Sequence, residues 1–190
     1  MATTAAPYGF RPVGTASGAY AGKVRLFKMT NNYGSTLFYG DPVALVAAGT
    51  VERIAATNAG PVLGVFLGCT YTDPGTGQKT WNKIWRASIQ ATDNYAYVMD
   101  DPDAIFAVQS AVTVAQADQG LNAGLSAVSS GSTLTGMSSV ALAGTLATTS
   151  TLPFRVVGFQ QGPFSAVGDA KTDVLVMINA HLYRASVAGV

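Results

Sequence analysis

One histidine, His181, and one cysteine, Cys69, bound the chemistry open to this chain of 190 residues. Nucleophilic catalysis sets a hydroxyl or thiol beside a base, most often histidine. No Gly-x-Ser-x-Gly elbow occurs. The run Ile178-Asn179-Ala180-His181-Leu182-Tyr183 reads as strand, which places His181 beside Asn179 and Tyr183 in a hydrogen-bonded structural role. Cys69 falls in line with Val65 and Leu67, the position of a small buried hydrophobe. A lone thiol and a lone imidazole cannot build the common Cys/His zinc sets. Asp100, Asp101 and Asp103 are the densest acidic group, but the EF-hand spacing, with Gly at the sixth position and Glu at the twelfth, is missing. With Pro102 among them they read as a capped turn. No catalytic, cofactor-binding or metal-ligating residue is assigned, and the chain is not expected to be an enzyme.

Trp81 and Trp85 are the residues that invite a binding role. Alternation over Thr80–Ile89 turns Trp81, Lys83, Trp85 and Ala87 to one side, with Lys79 and Arg86 nearby. Such a row fits a stacking platform for a single strand or a glycan, with Tyr97 as a further member. It also suits a strand bordering a protein interface, and packing of these aromatics in the core or at an interface is the preferred reading. A net charge of +1 and a pI near 7.8 weaken electrostatic capture of nucleic acid, so no specific nucleic-acid partner is expected.

Composition fixes the frame that must carry these residues. Charged residues make up 11%, against roughly 25% in average soluble proteins. The acids are nine Asp and one Glu, Glu52, and only five residues are Lys. Helices normally clothe their outer faces in Glu, Lys and Arg, so a mainly helical chain is disfavoured. With 48% hydrophobic residues a large core is possible and wholesale disorder is excluded. No apolar run approaches the ~18 residues of a membrane span, and the N-terminal Met-Ala-Thr-Thr-Ala-Ala-Pro-Tyr lacks the basic flank and apolar stretch of a signal peptide. The expectation is synthesis in a reducing cytoplasm, no membrane partner, and a surface largely covered by partners.

Residues 1–22 show neither a two- nor a 3.6-residue period and read as an extended N-terminal arm, whose Tyr8, Phe10 and Tyr20 need burial against another chain or the chain's own body. Residues 23–184 form a single β-rich domain, and 185–190 a C-terminal tail. Strands are expected at Val24–Met29, Ser35–Tyr39, Val43–Val46, Thr50–Ala55, Val62–Tyr71, Thr80–Ile89, Tyr95–Met99, Ala104–Gln109, Leu152–Phe159 and Asp173–Tyr183, separated by turn formers. Gly64 and Gly68 within the Val62 strand mark bulges or close backbone approaches, the devices that curl a sheet. Gln116–Gly120 can form one helical turn. The Ser/Thr/Gly/Ala-rich stretch 121–151 is assigned short strands around Leu134, Val140, Leu142 and Leu146, since long bare loops are uncommon. The fold class is all-β: a small curled β-barrel or jelly-roll-like sandwich with an extended arm and at most one or two short helices.

Four stretches carry a family likeness: Ala6-Pro7-Tyr8-Gly9-Phe10-Arg11-Pro12-Val13; Phe38-Tyr39-Gly40-Asp41-Pro42-Val43 followed by Gly60-Pro61-Val62-Leu63-Gly64-Val65-Phe66; Asp93-Asn94-Tyr95-Ala96-Tyr97-Val98-Met99-Asp100-Asp101-Pro102; and Leu152-Pro153-Phe154-Arg155-Val156-Val157-Gly158. In this order the chain resembles the capsid decoration, or cement, proteins of tailed bacteriophages. The resemblance implies a β-rich, often trimeric protein on the outer surface of the virion, bound at junctions between major capsid subunits and bracing them against packaged DNA. It implies the major capsid protein and further copies of itself as partners, and no cofactor. Tyr8, Phe10 and Arg11 are the candidate capsid contacts of the arm, and Trp81 and Trp85 candidate interface aromatics. Another virion role, as head fibre, tail or minor capsid component, and a β-barrel module binding glycan or single-stranded nucleic acid through Trp81 and Trp85, remain the alternatives.

Overall fold

A computed structural model describes residues 4–19, 23–58 and 60–184. Tyr20 and the expected tail 185–190 lie outside the described residues. The fold is all-β, with two antiparallel sheets. Among the described residues thirteen strands follow in order: β1 Arg11–Thr15, β2 Gly18–Ala19, β3 Arg25–Lys28, β4 Pro42–Leu45, β5 Val51–Arg53, β6 Gly64–Thr72, β7 Lys79–Asn82, β8 Tyr95–Met99, β9 Ala104–Gln109, β10 Asn122–Leu125, β11 Leu142–Ala147, β12 Phe154–Phe159 and β13 Asp173–Ile178. One 3₁₀ turn, Gln116–Asp118, occupies the expected helical site.

The first sheet has the order β11-β10-β12-β13-β9-β1-β2, and the second the order β3-β8-β6-β4-β5 with β7 added against β6. A single bridge, Met29 to Val51, links the two ends of the second sheet without a continuous ladder. The architecture is a sandwich whose second sheet is curled. Its main core lies between the sheets, where the alternating inward residues of β13, Val174, Val176 and Ile178, meet Phe106, Phe154 and Val156, with Val65 and Met99 arriving from the other sheet. A second core, including Leu37, Phe66, Trp85 and Val98, fills the concave side of the curled sheet.

The bulge expected at Gly68 is present: the register of β6 on β8 shifts between Phe66 and Cys69. It also corrects one expectation. The extra residue reverses the parity of the strand, so Cys69 joins Phe66 in the second core, while Val65 and Leu67 face the first.

The N-terminal segment is extended, but it is not free of the body. Arg11–Thr15 is a strand of the chain's own sheet, paired with β9 and continued into β2. Phe10, a candidate capsid contact, is fully buried in the first core. Its ring stacks on Phe154 at 4.4 Å between centroids and meets Phe106 edge-on at 6.3 Å. Gly9 permits this entry: its φ is +74°, and a Cβ there would fall 2.5 Å from the Ser138 Cβ and 2.9 Å from the Gly40 carbonyl oxygen. The backbone N–H of Phe10 can thus donate to that same carbonyl at 2.9 Å.

Three further expectations change. Ser35–Tyr39 forms no strand and contributes only the bridges Leu37–Trp85 and Tyr39–Met137. Within 121–151, Leu142 and Leu146 do lie on a strand, but Leu134 stands at an exposed loop tip. The strand begun at Lys79 ends at Asn82 instead of running to Ile89. Because Phe10 anchors β1 from within, Phe10→Ala should cost roughly 3–5 kcal/mol of stability in urea denaturation; an unchanged midpoint would return this residue to the surface.

Candidate functional site

The early end of β7 decides the fate of both tryptophans. The Asn82 Oδ1 accepts a hydrogen bond from the Ile84 N–H at 3.1 Å and turns the chain out of the strand. The two-residue alternation that would have aligned Trp81 with Trp85 is lost. Trp85 is fully buried; its Nε1 donates to the Tyr33 carbonyl at 3.3 Å and its ring meets Tyr71 edge-on at 5.6 Å. Trp85 is thus a core residue and not an interface aromatic.

Trp81 is half exposed on the convex side of the curled sheet. Gly68 makes its seat, since a Cβ at that position would come within 3.0 Å of the indole Cζ2. Across neighbouring strands Trp81 pairs with Thr70, Thr70 with Tyr95, and Tyr95 with Lys28, while Leu26 pairs with Tyr97. Directly paired residues share a face, so these side chains form one outward surface. Lys28 Nζ lies 4.8 Å from the Tyr95 ring centroid and donates to the Thr92 carbonyl. Lys79 is engaged by Asp93 at 2.6 Å, and that bond, joined by those from the Thr72 N–H and hydroxyl, holds the Asp93 carboxyl well below the usual range.

A groove of about 290 Å³ opens beside Trp81, between the end of β7 and the loop 131–138. Trp81, Lys83, Ile84, Arg86 and Leu134 are among its walls. The loop is held from inside by Asp41, which lies in the break between the segments Ser35–Tyr39 and Val43–Val46. Its buried carboxylate accepts from the Phe38 N–H at 3.0 Å, the Ser129 hydroxyl at 2.6 Å and the Ser138 hydroxyl at 2.7 Å. Burial pushes its pKa up to about 6, against the opposing pull of those three donors. Tyr39 closes the loop base, its N–H donating to the Gly136 carbonyl and its own carbonyl accepting from the Ser138 N–H, both at 2.9 Å.

The remaining candidates are dispersed. Tyr8 is half-buried beneath the Arg11 guanidinium, 4.8 Å from its ring centroid, and burial followed by the nearby Asp173 carboxylate raises its pKa. Arg11 is exposed. His181 lies past the end of β13, where its Nδ1 accepts from the Tyr183 N–H at 3.1 Å, and burial, reinforced by Arg184, lowers its pKa. Burial pushes the Cys69 thiol up to about 12, which leaves it a poor nucleophile. The acidic cluster is divided among cations: Asp100 with Arg25, Asp101 with Lys23 at 3.8 Å, and Asp103 with Arg184 at 3.7 Å. Asp101 also caps the turn by accepting from the Asp103 N–H at 3.0 Å. Among the described residues no group of three or more His, Cys, Asp or Glu side chains could hold a metal ion.

Two predictions follow the geometry. The folded state holds the Asp41 proton more tightly than the unfolded chain does, so this group's contribution to stability is greatest below pH 4 and is lost as pH rises through about 6. The stability of Asp41→Asn relative to the unaltered protein should therefore improve between pH 4 and 7, by something of order 3 kcal/mol. Urea titrations giving a pH-independent difference would refute this. In Trp81→Phe, the surviving Trp85 emission should shift to the blue and resist acrylamide; easy quenching would show an exposed Trp85. Comparison with known protein families, curated proteins and solved structures finds no match to the chain, so its function is argued from this geometry and from the sequence likeness.

Proposed function

We propose that this chain is a structural virion protein that binds the outer surface of an icosahedral capsid and cements neighbouring major capsid subunits. The observation that carries the reading is an outward surface that offers large apolar side chains and few unengaged charges. Leu134 is 93% exposed, Phe164 86%, Leu26 55% and Trp81 53%. Single exposed apolar residues are ordinary, but Leu26, Tyr95 and Trp81 share one sheet face. Aromatic and aliphatic anchors of this kind dominate the buried centres of protein interfaces.

Cementing needs binding energy alone. A protein that binds only the assembled lattice shifts the equilibrium towards it, by about 2.7 kcal/mol per site at a free concentration one hundred times the Kd. The main core and the buried Asp41 node make a rigid body for that purpose. Tyr8, Arg11 and Trp81 remain candidate contacts, while Phe10 and Trp85 serve the interior. Self-association as a trimer belongs to the same reading, through the family likeness.

Heads purified with and without this chain test the proposal. Decorated heads should carry it at many copies, in proportion to the lattice positions, and should rupture at a higher temperature than undecorated heads. A few copies per particle would reassign it to a minor component, and its absence from heads would remove the virion role.

A further inference from the structure

We propose that the groove between β7 and the loop 131–138 docks an acidic segment of the major capsid subunit, one that places carboxylates beside an aliphatic side chain. This rests on the cement reading and names the chemistry of its contact. The argument is charge complementarity. Of the eleven basic residues, eight engage partners: Arg11 the Tyr8 ring, Lys23 Asp101, Arg25 Asp100, Lys28 the Thr92 carbonyl, Lys79 Asp93, Arg155 Asn122, Lys171 the Ala111 carbonyl, and Arg184 the Pro102 carbonyl. The side chains of Arg53, Lys83 and Arg86 make no hydrogen bond or ion pair among the described residues. Arg53 lines a different groove, which Glu52 also lines. Lys83 and Arg86 both line this one groove, and no acidic residue lines it with them.

Lys83 and Arg86, the latter within electrostatic reach of Tyr71, line the groove together with Trp81 and the buried Ile84, and Leu134 is almost wholly exposed at the rim. A carboxylate between Lys83 and Arg86 would satisfy both charges, and an aliphatic side chain alongside would cover Leu134 and the indole. Single-stranded nucleic acid fits less well, because its affinity depends on cations tracking several successive phosphates. The site is also prepared for a ligand: Gly68 seats the indole, and Asp41 braces the loop through Ser129 and Ser138.

Undecorated heads titrated with purified protein provide the test, using the unaltered chain, Lys83→Gln/Arg86→Gln and Leu134→Ser. These three side chains are exposed, so the variants should keep the native circular dichroism and urea midpoint. Each variant should bind about tenfold more weakly, and the charge variant should also lose much of its salt dependence. Tight binding by the unaltered chain with no loss in either variant would overturn the groove assignment and leave the cement reading standing. Failure of the unaltered chain to bind would overturn the cement reading itself. Saturable binding of oligo(dT) that disappears in Lys83→Gln/Arg86→Gln would replace the acidic protein segment with nucleic acid.

Discussion

A carboxylate enclosed in protein must find donors, and Asp41 finds them in three separate parts of the chain. An ion of this kind is costly to desolvate, and leaving its partners unmatched would cost more. Phe38 belongs to the segment before β4, while Ser129 and Ser138 lie on the two legs of the excursion between β10 and β11. Gly40, next in the chain, accepts the N–H of Phe10 and donates to the Phe66 carbonyl at 2.8 Å. One short segment therefore ties the N-terminal strand, the curled sheet and the outer loop together. The hydroxyls supply geometry that apolar packing would not, since hydrogen bonds fix direction as well as distance.

Scarce charge shapes the rest of the surface. With so few ionised side chains, most are committed to turns and strand ends: Asp100 secures the edge strand β3 through Arg25, and Asp93 joins β6 and β7 through Thr72 and Lys79. The Lys79–Asp93 pair is exposed, and such pairs contribute little to stability, whereas Asp100 is buried and depends on its Arg25 partner. Their effect is to withdraw charge from the surface that meets water. Apolar side chains on the convex face then have little competition in setting its character, and Lys83 and Arg86 line the groove with no acidic residue among its walls.

Much of this fold was legible in the sequence, because alternation reports strands whose partners lie on both sides. Tyr95–Met99 and Ala104–Gln109 have the expected bounds, and the late strands β12 and β13 differ mainly at their ends. What escaped was the parity within a strand and the place where it stops. A glycine inside a strand can signal a bulge, but not that the bulge at Gly68 carries Cys69 into the other core. Trp81 and Trp85 are separated by a hydrogen bond that the Asn82 side chain accepts from the Ile84 N–H, a local competitor that periodicity cannot register. The stretch 121–151 was opaque for another reason. Its loop takes its shape from Asp41, some ninety residues earlier, and a low-complexity segment whose conformation is set at long range carries no local signature of it. The groove was missed for the same cause, as Leu134 and Trp81 become neighbours only once that buried node is formed.

The same long-range bracing bears on how such a surface can bind. Association loses side-chain and loop freedom, at about 0.5–1.5 kcal/mol for each rotamer-rich side chain immobilised. Here the indole of Trp81 already rests over Gly68, and the backbone of the 131–138 loop is already held at Tyr39 and Asp41. The ordering is done on folding, so the energy gained when Trp81 and Leu134 are covered can appear as affinity. Lys83 and Arg86 are exposed, and in the proposed docking they would orient an approaching partner and reject one of the wrong sign. In the docking proposed for this groove, a nearly neutral sheet sandwich would separate two tasks: braced apolar residues would supply adhesion, and Lys83 and Arg86 its direction.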